Sequence, residues 1–440
     1  MSILSKLFNT PEKNEGLILG RHSNYHLSER QDLAWNNAID QYGNGDYLAC
    51  FRNLLEFLKQ EGDRANIVRV EKDNHIEFTL FQGSVKVTGK HTFDKLEVQA
   101  KLAKARELPE KMMLRLLSKN HEFEYVKYAL NDSNEILLIL NPGLADAQPN
   151  VILRGLRELA TQADKLDDLL SSDFEKVDIM ETAHVLEKEY ATKKVNTKFL
   201  KNQIKELYKD LEDQKEIYDY LEFTKVYRIF NLVYATDFLL TPQGQIMETL
   251  EIMHRELHNP EGKLTDKIEY FEQALTKLSA QEDHLLEKEL YEVFYTFNLT
   301  PKITVSTLKE IIDNERQQLL WYKENGQNNI VHNMVGYIFG YCLFNYTVPD
   351  PVKMLIQFYY KCLFPEYFKE LDDNPFVTND GTLNRKSIKN EINKLIKSTK
   401  WSEAKVKSPS RIELDYNNLT TFACSLLDTI YELDFIEYDD

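Results

Sequence analysis

The chain has 440 residues, 42% hydrophobic and 28% charged, a balance that builds packed cores and excludes a disordered or low-complexity chain. Its net charge is −17, and both the first 175 residues and the remainder are acidic. That removes the cation excess which nucleic acid or an anionic membrane surface would require. Only 15 Gly and 12 Pro against 24 Tyr and 23 Phe favour long helices packed through rings.

The four cysteines (Cys50, Cys342, Cys362, Cys424) are scattered without CxxC spacing and read as reduced, buried thiols of a cytoplasmic protein. Lysines interrupt the apolar residues of the first fourteen positions, so no signal peptide is expected. Ile330 to Val348 is the least polar stretch. It contains His332, Asn333 and Asn345 and falls short of the about 20 apolar residues of a membrane span, so a buried helix is expected there.

Residues 1–24 read as a flexible lead-in. Ser28 opens a helix through Tyr42 with Trp35, Ala38, Ile39 and Tyr42 on one face; Asp46 caps a second, striped by Tyr47, Phe51, Leu54, Leu55 and Leu58. Strands follow at Ile67–Glu71 and, as a hairpin, across His75–Lys90, where Ile76, Phe78 and Leu80 alternate and Gly83 breaks the pattern. From Lys95 the alternation of Leu96, Val98, Ala100 and Leu102 predicts a strand with one dry face. Pro109 begins a helix with Met112, Met113, Leu116 and Leu117 inward. Strands are predicted at Phe123–Leu130 and Glu135–Asn141, the second apolar enough to be covered on both faces. A helix then runs along a seam of Ile152, Leu156, Leu159, Ala163, Leu166 and Leu170.

Beyond about Glu175 the strand signal ends. Heptad register from Leu186 to Leu221 predicts a long helix or a hairpin broken near Val195-Asn196. Helices follow at Thr241–His258, from Thr265, from Gln281 to near Pro301, from a Thr307/Glu310 capping box to Asn325, and at Asn329–Asn345, Pro351–Leu363, Arg385–Lys397 and Tyr416–Leu433. The fold class is therefore an α+β domain over residues 25–175, an antiparallel sheet with flanking helices, followed by an all-α domain over 176–440 that ends in an acidic tail.

The N-terminal order of helix, antiparallel strands, helix, two strands and long helix, with the Trp35 helix, the Phe78-to-Val87 hairpin and the apolar Glu135-to-Asn141 strand, resembles the type III secretion chaperone-like fold. Within it the chain is similar to the bacterial YbjN-type domain, over about residues 25–172. The resemblance implies a small non-enzymatic module that dimerises or grips peptide segments, and it implies no catalytic residues. The helical remainder resembles no family.

Candidate chemistry is sparse. His254 and His258 share a helix face at metal-ligand spacing, but Arg255 stands where a zincin has its glutamate, and surface or capping histidines are the plainer reading. The pairs Asp167-Asp168 and Asp372-Asp373 point in different directions on a helix and read as solvated. Gly336 and Gly340, one turn apart, let a second helix come close. The rings of Phe358, Tyr359, Tyr360, Phe364, Tyr367 and Phe368 read as core. Asp428 to Asp440 interleaves acids with Tyr431, Leu433, Phe435, Ile436 and Tyr438, and reads as a frayed tail or as a strip docked on a basic groove.

The expected function is non-enzymatic protein–protein interaction, as a chaperone-like or regulatory scaffold with no cofactor and no metal. Its partner is a protein or peptide, or a second copy; nucleic acid binding and membrane insertion are not expected. Phe81, Val85 and Val87 are the candidate partner-binding residues, because Phe81 falls on the face opposite Ile76, Phe78 and Leu80. The alternatives are an enzyme or metal-binding protein with a site around His254 and His258, or a purely structural subunit.

Overall fold

Residues Leu27–Leu186 and Val293–Leu299 form one unit; Leu17–His26, Glu187–Glu292 and Thr300–Asp440 form a second. The computed structural model describes residues 19–20, 24–60, 65–72, 74–107, 110–143, 147–173, 177–179, 185–373, 376–378, 380–407 and 412–437, with backbone alone for 115, 165–173, 177–179 and 219–220.

In the first unit the Ser28 side chain accepts from the Gln31 N–H, while the Gln31 side chain returns to the Ser28 N–H. This capping box starts α1 (Glu29–Gly43). Asp46 caps α2 (Tyr47–Leu58), which buries Phe51, Leu54, Leu55 and Leu58. Six antiparallel strands follow: β1 (Ile67–Lys72), β2 (His75–Gln82), β3 (Val85–Thr92), β4 (Leu96–Ala105), then β5 (Lys127–Leu130) and β6 (Glu135–Leu140) after α3 (Glu110–Lys119). They lie in the order β1-β2-β3-β4-β6-β5. The chain closes with α4 (Pro149–Asp173) and β7 (Val177–Ile179), which pairs with the end of β4. Period two puts Ile76, Phe78, Leu80, Val98, Ala100, Ile136 and Leu138 on one face, in a single core with Phe51 of α2 and Ile152, Leu156 and Leu159 of α4. Register slips by one between Lys101 and Ala103, so Leu102 and Ala103 are both buried at the bulge.

A histidine ring is buried on the same face. His91 on β3 is 1% exposed, and its ring stacks on Phe51 at 4.9 Å. Burial lowers its pKa to about 4, against a weaker opposing hydrogen bond at Thr92. The folded pKa lies below the unfolded value, so its neutral form contributes fully above pH 6.5. Stability is lost as pH falls from there towards 4, by about 2 kcal/mol at pH 5. Urea unfolding at pH 7.5 and pH 5 should show that loss, and His91→Leu should remove it; equal pH dependence in both proteins would assign acid lability elsewhere.

In the second unit the helices are α5 (Tyr190–Asp213), α6 (Lys215–Tyr220), α7 (Glu222–Leu240), α8 (Gly244–His258), α9 (Leu264–Ala280), α10 (Asp283–Lys288), α11 (Val305–Glu324), α12 (Asn328–Asn345), α13 (Asp350–Leu363), α14 (Pro365–Glu370), α15 (Arg385–Ile396), α16 (Thr399–Glu403) and α17 (Leu419–Tyr431). α7 is buried nearly all round from Val226 to Leu240, as is α12 from Ile330 to Cys342, so these two form the unit's centre. A Cβ on Gly336 would lie 2.0 Å from Asn231 Oδ1, and one on Gly340 2.3 Å from Tyr234 Cβ. The paired glycines do let a helix approach. All four cysteines are free and buried. Among the described residues no helix is long and apolar enough to cross a membrane.

Several elements differ from expectation, each for a local reason. Of the lead-in, residues 1–18 and 21–23 lie outside the described residues, but Leu19 and Tyr25 are buried and the Tyr25 hydroxyl donates to the Ile303 carbonyl at 2.6 Å. Leu117 faces out, 59% exposed. The strand expected from Phe123 starts only at Lys127, because the Glu158 carboxylate takes the N–H groups of Glu124, Tyr125 and Val126. β6 is fully covered on one face and in part on the other, where Leu137 is 7% exposed and Ile139 is half-buried. No break occurs at Val195-Asn196; α5 passes through, with buried Asn196 accepting from the Tyr367 hydroxyl. Thr304 rather than Thr307 caps α11. The seam positions Leu166 and Leu170 lie outside the described side chains. The tail is docked rather than frayed as far as Glu437: Leu433 and Phe435 are buried, Lys407 pairs with Asp434, and Glu437 accepts from the Val305 N–H at the start of α11.

Candidate functional site

The strands that bury Ile76, Phe78 and Val98 turn their alternate residues to the opposite face. Pairing across the sheet sets one row as Val68, Thr79, Thr88, Gln99, Ile139 and Lys127, and the next as Val70, Glu77, Lys90 and Glu97. Val70 is 51% exposed, and Val68, Thr79, Thr88, Gln99 and Ile139 are half-buried. The twist of the sheet makes this face a hollow of about 660 Å³ that also reaches Asn141. Its floor is neutral, with apolar groups at both ends and short hydroxyl and amide side chains between them.

Charge rings that floor. Glu77 accepts from His75 at 3.1 Å and lies 3.7 and 3.6 Å from Lys72 and Lys90; these contacts, His75 first, hold its carboxyl below the usual range. Lys101 pairs with Glu135 at 2.9 Å, which lowers the Glu135 pKa, with help from Asn131. The strands direct Lys72, Lys86, Lys90, Lys101, Lys104 and Lys127 to this face against Glu77, Glu97 and Glu135, with Asp178 of β7 paired in register with Lys104, so lysines outnumber strand carboxylates here on a chain of net −17.

Phe81 lies on the same face but is 2% exposed. The segment Val293–Leu299 covers it, with the Phe294 ring 5.9 Å from the Phe81 ring. The Gly83 N–H donates to the Phe294 carbonyl at 2.7 Å. Gln82 Oε1 accepts from the N–H groups of Thr296 and Phe297, and Gln82 Nε2 donates to the Phe297 carbonyl. Asn66 Nδ2 donates to Thr296 Oγ1, which donates to the Phe81 carbonyl, and Gln60 Nε2 donates to the Tyr295 carbonyl. The strap is held mostly through its backbone, by three amide side chains. Val85 and Val87 are on the other face altogether, buried in the sheet–helix core, because Lys86 is the residue that pairs with Phe81. The three expected partner-binding side chains thus share no surface, and none is open to a partner in this structure.

His254 and His258 do come together, their rings 4.6 Å apart, with Tyr234 hydrogen-bonded to His254 Nδ1 at 2.9 Å. Burial first, then His258, lowers the His254 pKa to about 4, and burial lowers that of His258. Tyr341 and Phe344 fill the space around the rings. Among the described residues no three His, Cys, Asp or Glu side chains are grouped to hold a metal. Asp373 pairs with Lys361 at 2.6 Å, while Asp372 is exposed with φ 55°. The side chains of Asp167 and Asp168 lie outside those described. Of the ring cluster, Phe358, Tyr359, Tyr360, Tyr367 and Phe368 are buried as core.

No protein-family model matches the chain, and no curated protein does.

Proposed function

We propose that the chain is a non-enzymatic protein-binding protein of the cytoplasm, holding a segment of a partner on the open sheet face of its first unit as a chaperone or scaffold. The observation that carries this reading is the hollow from Val68 to Ile139, an uncovered sheet face with apolar ends and a hydrogen-bonding floor. Sheets that bury only one side normally present a charged, featureless outer side, whereas recognition surfaces join apolar pockets to a few directed polar groups. The element order of the first unit also fits its resemblance to secretion-chaperone-like domains, and those hold peptide segments. The strap Val293–Leu299 supplies an internal precedent, since the unit already grips one stretch of chain by its backbone.

Thr88 sits in the middle of the floor and half-buried, so Thr88→Trp fills the hollow without entering the core. Capture from host extract on the intact protein should recover a partner that Thr88→Trp recovers at least about fivefold less, with the melting temperature unchanged. Equal recovery on both baits would remove this face from the reading.

A further inference from the structure

The charge around the hollow narrows the partner. We infer that the open face takes an acidic, extended segment of another protein, with carboxylates spaced between small apolar side chains; this rests on the protein-binding reading above. The chain as a whole repels anions, yet Lys86, Lys101, Lys104 and Lys127 lie towards the end of this face, where the strand carboxylates are Glu135 and, paired in register with Lys104, Asp178. Lys86, Lys101, Lys104 and Lys127 are all exposed, and Lys101 alone of them is ion-paired to Glu135 at 2.9 Å. Cations gathered against the net charge of the molecule steer an oppositely charged partner to one place and fix its orientation.

The apolar groups set the shape. The row from Val68 to Lys127 crosses six strands, about 24 Å, which is the length of about seven extended residues. A segment lying along it meets apolar side chains at Val68 and Ile139, and hydroxyl or amide groups at Thr79, Thr88 and Gln99 that can serve its backbone. Nucleic acid fits less well. Binding of unpaired bases relies on exposed rings for stacking, and of the rings that β2 turns to this face Phe81 is under the strap and His75 is held against Glu77.

The full-length protein tests this by fluorescence anisotropy with three labelled probes: a (Glu-Thr-Glu-Val)n peptide, its Gln-for-Glu counterpart, and an oligo(dT) of similar length. The Glu peptide should bind about tenfold or more tighter than the Gln peptide, and weaken about tenfold as salt rises from low to moderate concentration. The double variant Lys86→Glu, Lys127→Glu should lose about tenfold in affinity for the Glu peptide at unchanged melting temperature, because both side chains are at the surface. Equal binding of the Glu and Gln peptides, both abolished by Thr88→Trp, would overturn the acidic partner and leave the protein-binding reading standing. Oligo(dT) binding as tightly as the Glu peptide would also overturn it, in favour of a general anion site. If neither peptide binds and Thr88→Trp leaves capture unchanged, both the inference and the reading fall.

Discussion

Phe81→Ser is expected to destabilise the first unit by about 4 kcal/mol, the cost of deleting a large buried ring and leaving its cavity. The ring is 2% exposed between the sheet and Phe294. Removing it also loosens the strap, because Thr296 donates to the Phe81 carbonyl and the neighbouring Gln82 holds Thr296 and Phe297. A serine hydroxyl placed there adds a polar group to be satisfied. For a unit of this size the loss corresponds to a fall of about 10 °C in the unit's melting temperature. Protein that remains folded at low temperature should keep whatever binding the proposed site shows, since the hollow from Val68 to Ile139 lies along other rows of the sheet. A melting temperature within about 2 °C of the parent would mean that the strap is not seated on Phe81.

The sheet was legible because its signal is strictly local. Leu96, Val98, Ala100 and Leu102 alternate, and all four are buried, as period two requires when one face is dry. Helix starts were legible where a capping side chain precedes an apolar stripe with no rival cap beside it, as at Ser28 and Asp46. They failed where two caps compete: Thr304 and Thr307 both precede the apolar stripe of α11, and the earlier one wins. The β5 start failed because its cause, Glu158, is more than thirty residues away.

The candidate site was legible as a face and not as a surface. Alternation placed Phe81 correctly on the side away from Ile76 and Phe78, but nothing in residues 75–92 states what covers it. The cover comes from Val293-Phe294-Tyr295-Thr296-Phe297, which reads as the end of a helix near Pro301. Its β-branched and aromatic composition was the available sign of extended chain. Pairing Val85 and Val87 with Phe81 failed differently: across a hairpin the register, not the sequence distance, decides which residues share a face, and Lys86 is the one opposite Phe81. The excess of lysines on the open face was hidden inside a net acidic count, because composition does not say which side of a sheet a charge occupies.

Gly340→Ala is expected to destabilise the second unit, although alanine is the better helix former by about 1 kcal/mol. The added methyl would stand 2.3 Å from Tyr234 Cβ and 2.9 Å from Tyr234 Cδ2, and a Cβ cannot swing aside as a flexible side-chain end can. α7 and α12 must therefore separate along their length. That disturbs the rings of Tyr234, Tyr337 and Phe344, which pack at centroid distances of 5.9 and 5.2 Å from Tyr234. Overpacking of this kind costs about 1–3 kcal/mol and more where backbone must shift, so a net loss of about 2 kcal/mol remains after the helix gain. Gly43→Ala is the control. It ends α1 in open space, so the methyl meets nothing and the change should be neutral or stabilising by less than about 1 kcal/mol. Urea unfolding of both variants separates the causes. A Gly340→Ala protein as stable as the parent would show that α12 and α7 have room to give, and that the two glycines are not what holds these helices close.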